Sequence, residues 1–372
     1  MPDVTPHIIF TVTNDLTYDR RMDRICLTLA SNGFQVTLVG RRLKNSLPLS
    51  PKTWKGVRLN CWFTKGFLFY SEYNLRLFFW LITKSCSVIC ACDLDTALPA
   101  RMASWLRNKK SVLDAHEYFT EVPEIASRPG LKRFWEWIAK KTIPKFQLQY
   151  TVGEELAKLM SERYHVPFQV IRNIAPHYPS TINPTDILQR EKIILYQGAL
   201  NVGRGLEILL QAMKQLPDWK LWLAGEGDIS KSLKDYSIQN NLEDRVQFLG
   251  WVKPEDLPKL MTKAKLGINL REKGSLNDYY SLPNKFFDCI HASLPSINMS
   301  YPEYRLIVEK YPCSVLLENL NAEEIVNAIQ NLDQHPENLA SMSKACQAAA
   351  IEFTWENEAI KLVEIYKNLI SN

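Results

Sequence analysis

Two basic residues fall where alternating strands and helices would present them to an anion. Lys285 lies in SLPNKFFDCIHASLP, in the first turn of a helix that starts at Pro283. Proline suits that turn because its missing N–H would be unsatisfied there anyway. Phe286, Phe287 and Ile290 then share a stripe. A lysine is ill placed at the positive end of a helix dipole, and an anionic ligand would resolve the mismatch. Asp288 follows about one turn later on a similar side. The second basic residue, Arg204, sits in YQGALNVGRGLE (196–207). Gly198, Gly203 and Gly205 free the backbone there, and a glycine-rich turn feeding a helix is a ready phosphate site to which arginine adds bidentate charge. A solvated lysine and a purely structural turn are the plainer alternatives. The spacing matches neither G-x-G-x-x-G nor a P-loop, which weighs against dehydrogenases and nucleotide hydrolases.

Further candidates stand at other strand ends. LAGEGD places Gly225 and Glu226 at one, and FLGWV places Gly250, Trp251 and Val252 at another. A flat aromatic or free backbone groups there suit a nucleobase, and core filling is the competing use of Trp251. DAHEYF brings Asp114, His116 and Glu117 to the end of a strand, and TNDLTYDRR brings Asn14, Tyr18, Arg20 and Arg21 to the end of the first. DLD (93–95) imitates a metal-binding D-x-D but lacks any flanking pattern, and reads as a strand-to-helix turn.

The elements that position these residues follow from apolar runs. His7–Val12 is a buried strand, residues 19–34 a helix closing at Gly33, and Gln35–Gly40 a second strand, a βαβ opening that implies a parallel sheet. SVICA and KSVLDA continue the alternation. Residues 173–186, NIAPHYPSTINPTD, carry no period and read as an interdomain linker. The alternation then restarts with KIILYQG, KLWLAG, RVQFLG, LGINL and PSINM as strands with helices between, a doubly wound α/β domain. The tail TWENEAIKLVEIYKNLI is a long amphipathic helix. The expected division is a first domain over 1–175, a linker over 176–190, a second domain over 191–352, and a helix over 353–372 packing back on the first. Ligands of such sheets bind outside the carboxyl ends of the strands, in a cleft.

With 372 residues the chain exceeds one ordinary core, and 46% apolar with 23% charged residues is a globular composition. A formal charge of +5 permits attraction to anionic ligands or a membrane surface, but by itself does not indicate nucleic-acid binding. Eight scattered cysteines, with only Cys90 and Cys92 close together, read as free thiols in a reducing compartment rather than a zinc site. The N-terminus lacks a signal-peptide pattern, and GFLFYSEYNLRLFFWLITKSC is broken by charges short of a membrane span. These features predict a cytoplasmic protein. One segment, LKRFWEWIAKKTIPKF, places Leu131, Phe134, Trp135 and Ile138 on one face amid Lys132, Arg133, Lys140, Lys141 and Lys145. Such a helix fits either peripheral contact with the inner face of the plasma membrane or packing within the domain.

In these motifs, taken in order, the second half resembles the nucleotide-sugar domain of GT-B glycosyltransferases, closest to the retaining family 4 (group 1). NDLTYDRRMDRICLTLASNGFQVTLV and DAHEYFTEVPE extend the resemblance to the first half. It implies two Rossmann-like doubly wound domains facing across a cleft. It also implies a metal-independent, retaining transfer of a sugar from a nucleoside-diphosphate donor, UDP- or GDP-linked, to a glycan or lipid-linked acceptor, as in cell-surface polysaccharide synthesis. No cofactor and no nucleic acid are implied. By the same resemblance Arg204 and Lys285 hold the diphosphate near Gly198, Gly225 and Glu226. Gly250, Trp251 and Val252 lie near the base, and Asp288 grips the ribose. His116 supports developing charge, with Glu117 the nearest local carboxylate. Asn14, Tyr18, Arg20 and Arg21 line the acceptor side. Two positions depart from the pattern: Tyr280 stands where the family has the first carboxylate of Glu-x7-Glu, and Ala199 where it often has a basic residue. A nucleotide-sugar epimerase and a non-catalytic glycan-binding or partner subunit of the same fold are the rival readings.

Overall fold

The computed structural model describes residues 5–176 and 184–371. It divides into two compact units, Met1–Asn173 with Asn357–Asn372, and Ile174–Glu356. Each is built on one parallel sheet.

In the first unit the strands are β1 (His7–Thr11), β2 (Gln35–Arg42), β3 (Lys55–Asn60), β4 (Val88–Cys92), β5 (Lys110–Ala115), β6 (Leu148–Thr151) and β7 (Gln169–Val170). They lie in the order β3-β2-β1-β4-β5-β6-β7. The reversal between β1 and β4 is a topological switch point, where the carboxyl ends of two strands leave a crevice. The helix Arg20–Ser31 follows β1. Asp19 caps it by accepting from the Met22 N–H at 2.9 Å, and Met22, Ile25, Cys26 and Leu29 form its buried stripe. The chain end returns to this unit as part of the helix Trp355–Ser371, whose Tyr366 ring lies 6.0 Å from that of Phe10. Glu358 on that helix is buried and accepts from the Arg172 N–H at 2.9 Å.

The second unit holds β8 (Ile193–Gln197), β9 (Lys220–Ala224), β10 (Val246–Gly250), β11 (Leu266–Asn269), β12 (Ser296–Met299) and β13 (Ser314–Leu317), in the order β10-β9-β8-β11-β12-β13. Its switch point is between β8 and β11. The strands predicted here are those observed, with β13 added at one edge. Of the expected linker, 177–183 lie outside the described residues, while Pro184–Gln189 is a 3₁₀ helix whose Ile187 is fully buried in the second unit's core.

Both units are therefore Rossmann-like doubly wound α/β folds, as the sequence predicts. The helix Pro129–Thr142 differs in detail. Trp135 and Ile138 pack inward, whereas Phe134, on the same predicted stripe, faces outward with Trp137.

Candidate functional site

In the second unit the carboxyl ends of β8 and β9 meet at two glycines. A side chain at Gly225 would place its Cβ 1.9 Å from the Gly198 carbonyl oxygen, so only glycine lets these turns touch. The Gly198 N–H donates to the Ala224 carbonyl at 2.9 Å. Gly205, at φ 66°, caps the helix Leu206–Met213 with no side-chain partner, and a Cβ there would meet Leu270 at 2.8 Å. Arg204 thus stands just before that helix, half-buried.

Lys285 reaches this turn from the other side of the switch point. It is the second residue of the helix Asn284–His291, whose cap is Pro283. Its Nζ sits 4.3 Å from the Tyr196 ring centroid and 3.9 Å from where a Cβ on Gly198 would be. The Tyr196 hydroxyl donates to the Ala199 carbonyl at 2.9 Å, which fixes the ring under the ammonium. Burial, then the charges of Arg204 and Arg271, lower the Lys285 pKa to about 7. Neither Lys285 nor Arg204 has a carboxylate within salt-bridge distance among the described residues. Two uncompensated cations beside a glycine turn and an uncapped helix start form a site for a multiply charged anion.

Arg271, just past β11, was not singled out from sequence. It pairs with Asp278 at 3.2 Å and donates to the Ser281 hydroxyl at 2.8 Å. Its only signal was a basic residue directly after the carboxyl end of a buried parallel strand. Gln197, the last residue of β8, was likewise missed. It donates to Asp288 Oδ2 at 2.8 Å and so orients that carboxylate. Tyr280 ends the short helix Leu276–Tyr279, its ring 5.2 Å from that of Tyr279. A Cβ on Gly250 would lie 3.6 Å from Glu226 Oε1, which brings the ends of β9 and β10 together. Trp251 is 71% exposed and is therefore not core filler, with Val252 half-buried beside it.

The first unit carries a second cluster at the ends of β4 and β5. Asp114 is fully buried, and its Oδ1 takes Arg21 Nη2 at 2.9 Å. Its Oδ2 lies 2.9 Å from His116 Nε2, an ion-pair contact outside hydrogen-bonding geometry. Asp93 flanks the imidazole, 3.6 Å from Nδ1, and accepts from the His116 backbone N–H at 2.7 Å. Burial disfavours the charged ring, but Asp114 and Asp93 prevail and hold the His116 pKa above its ordinary value. Nearby Asp95 is raised to about 7 by burial and by the Asp93 charge, against the hydrogen bond it takes from Thr13 at 2.6 Å.

Arg21 lies inside this cluster, also donating to the Ile171 carbonyl at 3.3 Å, and does not line the surface. Asn14, Tyr18, Arg20 and Glu117 are exposed, and Asn14 donates to Asp19 at 2.6 Å. Asp93 starts a 3₁₀ turn over Leu94–Thr96, as DLD was read. Among the described residues one group has metal-ligand proximity, Cys92, Asp114 and His116, with ligand atoms within 4.8 Å. It fits a cation poorly. Arg21 already balances Asp114, and burial raises the Cys92 thiol well above its usual pKa.

Two Rossmann-like units with basic residues at the second one's strand ends define the GT-B class of fold. Residues 179–349, most of the second unit, match the family model described as Glycosyl transferases group 1. An uncharacterized glycosyltransferase of Methanocaldococcus jannaschii is 38% identical over 77 residues, 20% of this chain and 20% of that protein. The chain spans about half the length, or less, of the curated relatives it matches. Among solved structures, sucrose-phosphate synthase from Thermosynechococcus elongatus has a TM-score of 0.78 at 17% identity, covering 98% of this chain and 99% of that one. HepE from Anabaena, solved in complex with UDP-glucose, has a TM-score of 0.73 at 14% identity, covering 97% and 99%. At such identities the likeness to solved structures shows the fold.

Proposed function

We propose that this protein is a glycosyltransferase that moves a sugar from a nucleoside-diphosphate donor to a glycan or lipid-linked acceptor, with retention of configuration and without a metal ion. The observation that carries the reading is the pair Lys285 and Arg204, two cations without carboxylate partners among the described residues, at the glycine turn after β8. A diphosphate supplies the missing charge, and the positive residues do the neutralising that a metal does elsewhere. The complex of HepE with UDP-glucose supports a UDP-linked donor, with a GDP-linked one the alternative.

Asp288, oriented by Gln197, takes the ribose hydroxyls. Exposed Trp251, with Gly250 and Val252, takes the base. As the bond from sugar to phosphate breaks, charge grows on the leaving diphosphate, where Lys285 and Arg204 stabilise it more than in the bound donor. His116, whose pKa Asp114 and Asp93 raise, supports the charge that develops on the transferred sugar, and Glu117 is the nearby exposed carboxylate. Asn14, Tyr18 and Arg20 are the acceptor-side residues. Polysaccharide synthesis in the cytoplasm is the setting this activity suits.

The test is release of nucleoside diphosphate from UDP-, GDP- and ADP-sugars in the presence of EDTA. One donor should turn over, and Lys285→Ala should lower kcat/KM by roughly a hundredfold. Failure of all donors would contradict the reading.

A further inference from the structure

The helices Gly66–Thr83, Ala97–Leu106 and Pro129–Thr142 belong to the first unit and pack side by side, the second against each of the others. Each turns apolar side chains outward. On the first, Leu68, Leu75 and Phe79 recur at helical spacing and are exposed. The second adds Leu98, Met102 and Trp105, the last 73% exposed, and the third Phe134 and Trp137, the last 56% exposed. The rings of Phe67 and Phe134 lie 6.1 Å apart and join the first helix to the third. Just before the first helix, Trp62 is 84% exposed under the Arg76 guanidinium. Ten of the 23 exposed large apolar side chains among the described residues lie on these three helices. A monomer rarely leaves so large an apolar patch in water.

Charge selects the occupant. Lys65, Arg133, Lys140 and Lys141 are exposed around the patch and have no carboxylate partner among the described residues. The acids of the first and third helices are already engaged, Glu72 by Arg76 at 2.8 Å and Glu136 by Arg163 at 2.9 Å. A second copy would set the same basic rim against itself. We propose that this three-helix face lies on an anionic lipid bilayer, its aromatic side chains in the headgroup boundary and its lysines and arginines on lipid phosphates. No described helix is long and apolar enough to cross a membrane, so the contact is peripheral. The inference does not depend on the donor site.

The experiment is co-sedimentation of the full chain with phosphatidylcholine vesicles, with and without phosphatidylglycerol. Two double variants are compared, Trp105→Glu with Trp137→Glu, and Lys140→Glu with Lys141→Glu. Binding should need the anionic lipid and weaken with salt, and each variant should lose about tenfold or more in partition at an unchanged melting midpoint. The charge-reversal pair, wholly on the surface, keeps the test valid if the tryptophan pair unfolds. Absence of binding to either vesicle, or variants that bind like wild type, overturns the proposal. So does a solution dimer that the tryptophan variant dissociates.

Discussion

Lys285 Nζ stands over the Tyr196 ring, 4.3 Å from its centroid, and ties the helix after Pro283 to the glycine turn after β8. That relationship makes anion binding sensitive to pH. The free lysine has its pKa lowered to about 7, by burial first and then by Arg204 and Arg271. A diphosphate favours the charged form. Binding above pH 7 therefore takes up a proton, and affinity for UDP should fall as pH rises from 7 toward 9. Calorimetry in buffers of different ionisation enthalpy measures the uptake. Lys285→Arg should still bind but lose the pH slope, because a guanidinium stays charged throughout.

Asp95 predicts a pH effect on stability of a particular sign. Its folded pKa, about 7, lies above the unfolded value of 3.8, so the native state holds the extra proton between the two. The stability this confers is complete below pH 3.8 and is lost as pH rises through 7. Asp95→Asn should therefore stabilise the protein at pH 8, by up to about 4 kcal/mol in urea denaturation, and bring no gain near pH 4. An equal effect at both pH values would show that Asp95 is not the titrating group.

Glu358 anchors the returning C-terminal helix. It is 1% exposed, accepts from the Arg172 backbone at 2.9 Å, and also meets Lys361 at 2.9 Å. Glu358→Ala would remove the acceptor of the buried Arg172 backbone N–H and one of two carboxylates at its guanidinium, Glu154 being the other, and should cost about 2 kcal/mol in urea denaturation. A loss below ~1 kcal/mol would place the helix's anchorage elsewhere, in Tyr366 and its aromatic neighbours.

His116 owes its raised pKa to Asp114 and Asp93. Asp93→Asn should lower it, as read by NMR titration of the ring, and activity that needs the imidazolium should then fall at a lower pH than in wild type. A ring pKa that does not move would assign the whole effect to Asp114.

Much of this architecture was legible because parallel strands buried on both faces read as short apolar runs, as in KIILYQG and KSVLDA. Lys285 and Arg204 were legible for a related reason, since ligands meet such sheets at strand ends. The edges were not. β3, KGVRLN, is half-buried and carries charge, so it has no apolar run, and β13 is only partly buried. Arg271 was hidden because its partner Asp278 lies in the following short helix, and Gln197 because its contact with Asp288 depends on how the Asn284–His291 helix seats on the sheet. Periodicity showed that Pro129–Thr142 has an apolar side. It did not separate Phe134, which faces out, from Trp135, which faces in, because neighbouring residues on a helix lie only about 100° apart.

The most direct measurement is a thermal-shift titration of UDP, GDP and ADP against the wild type and the double variant Arg204→Ala with Lys285→Ala, without metal. The account predicts that one nucleoside diphosphate raises the wild-type midpoint, reflecting about 2.7 kcal/mol of added stability at a hundredfold excess over Kd, and that the double variant does not respond. An equal shift in both proteins, or none with any nucleotide, would contradict a diphosphate site at Lys285 and Arg204.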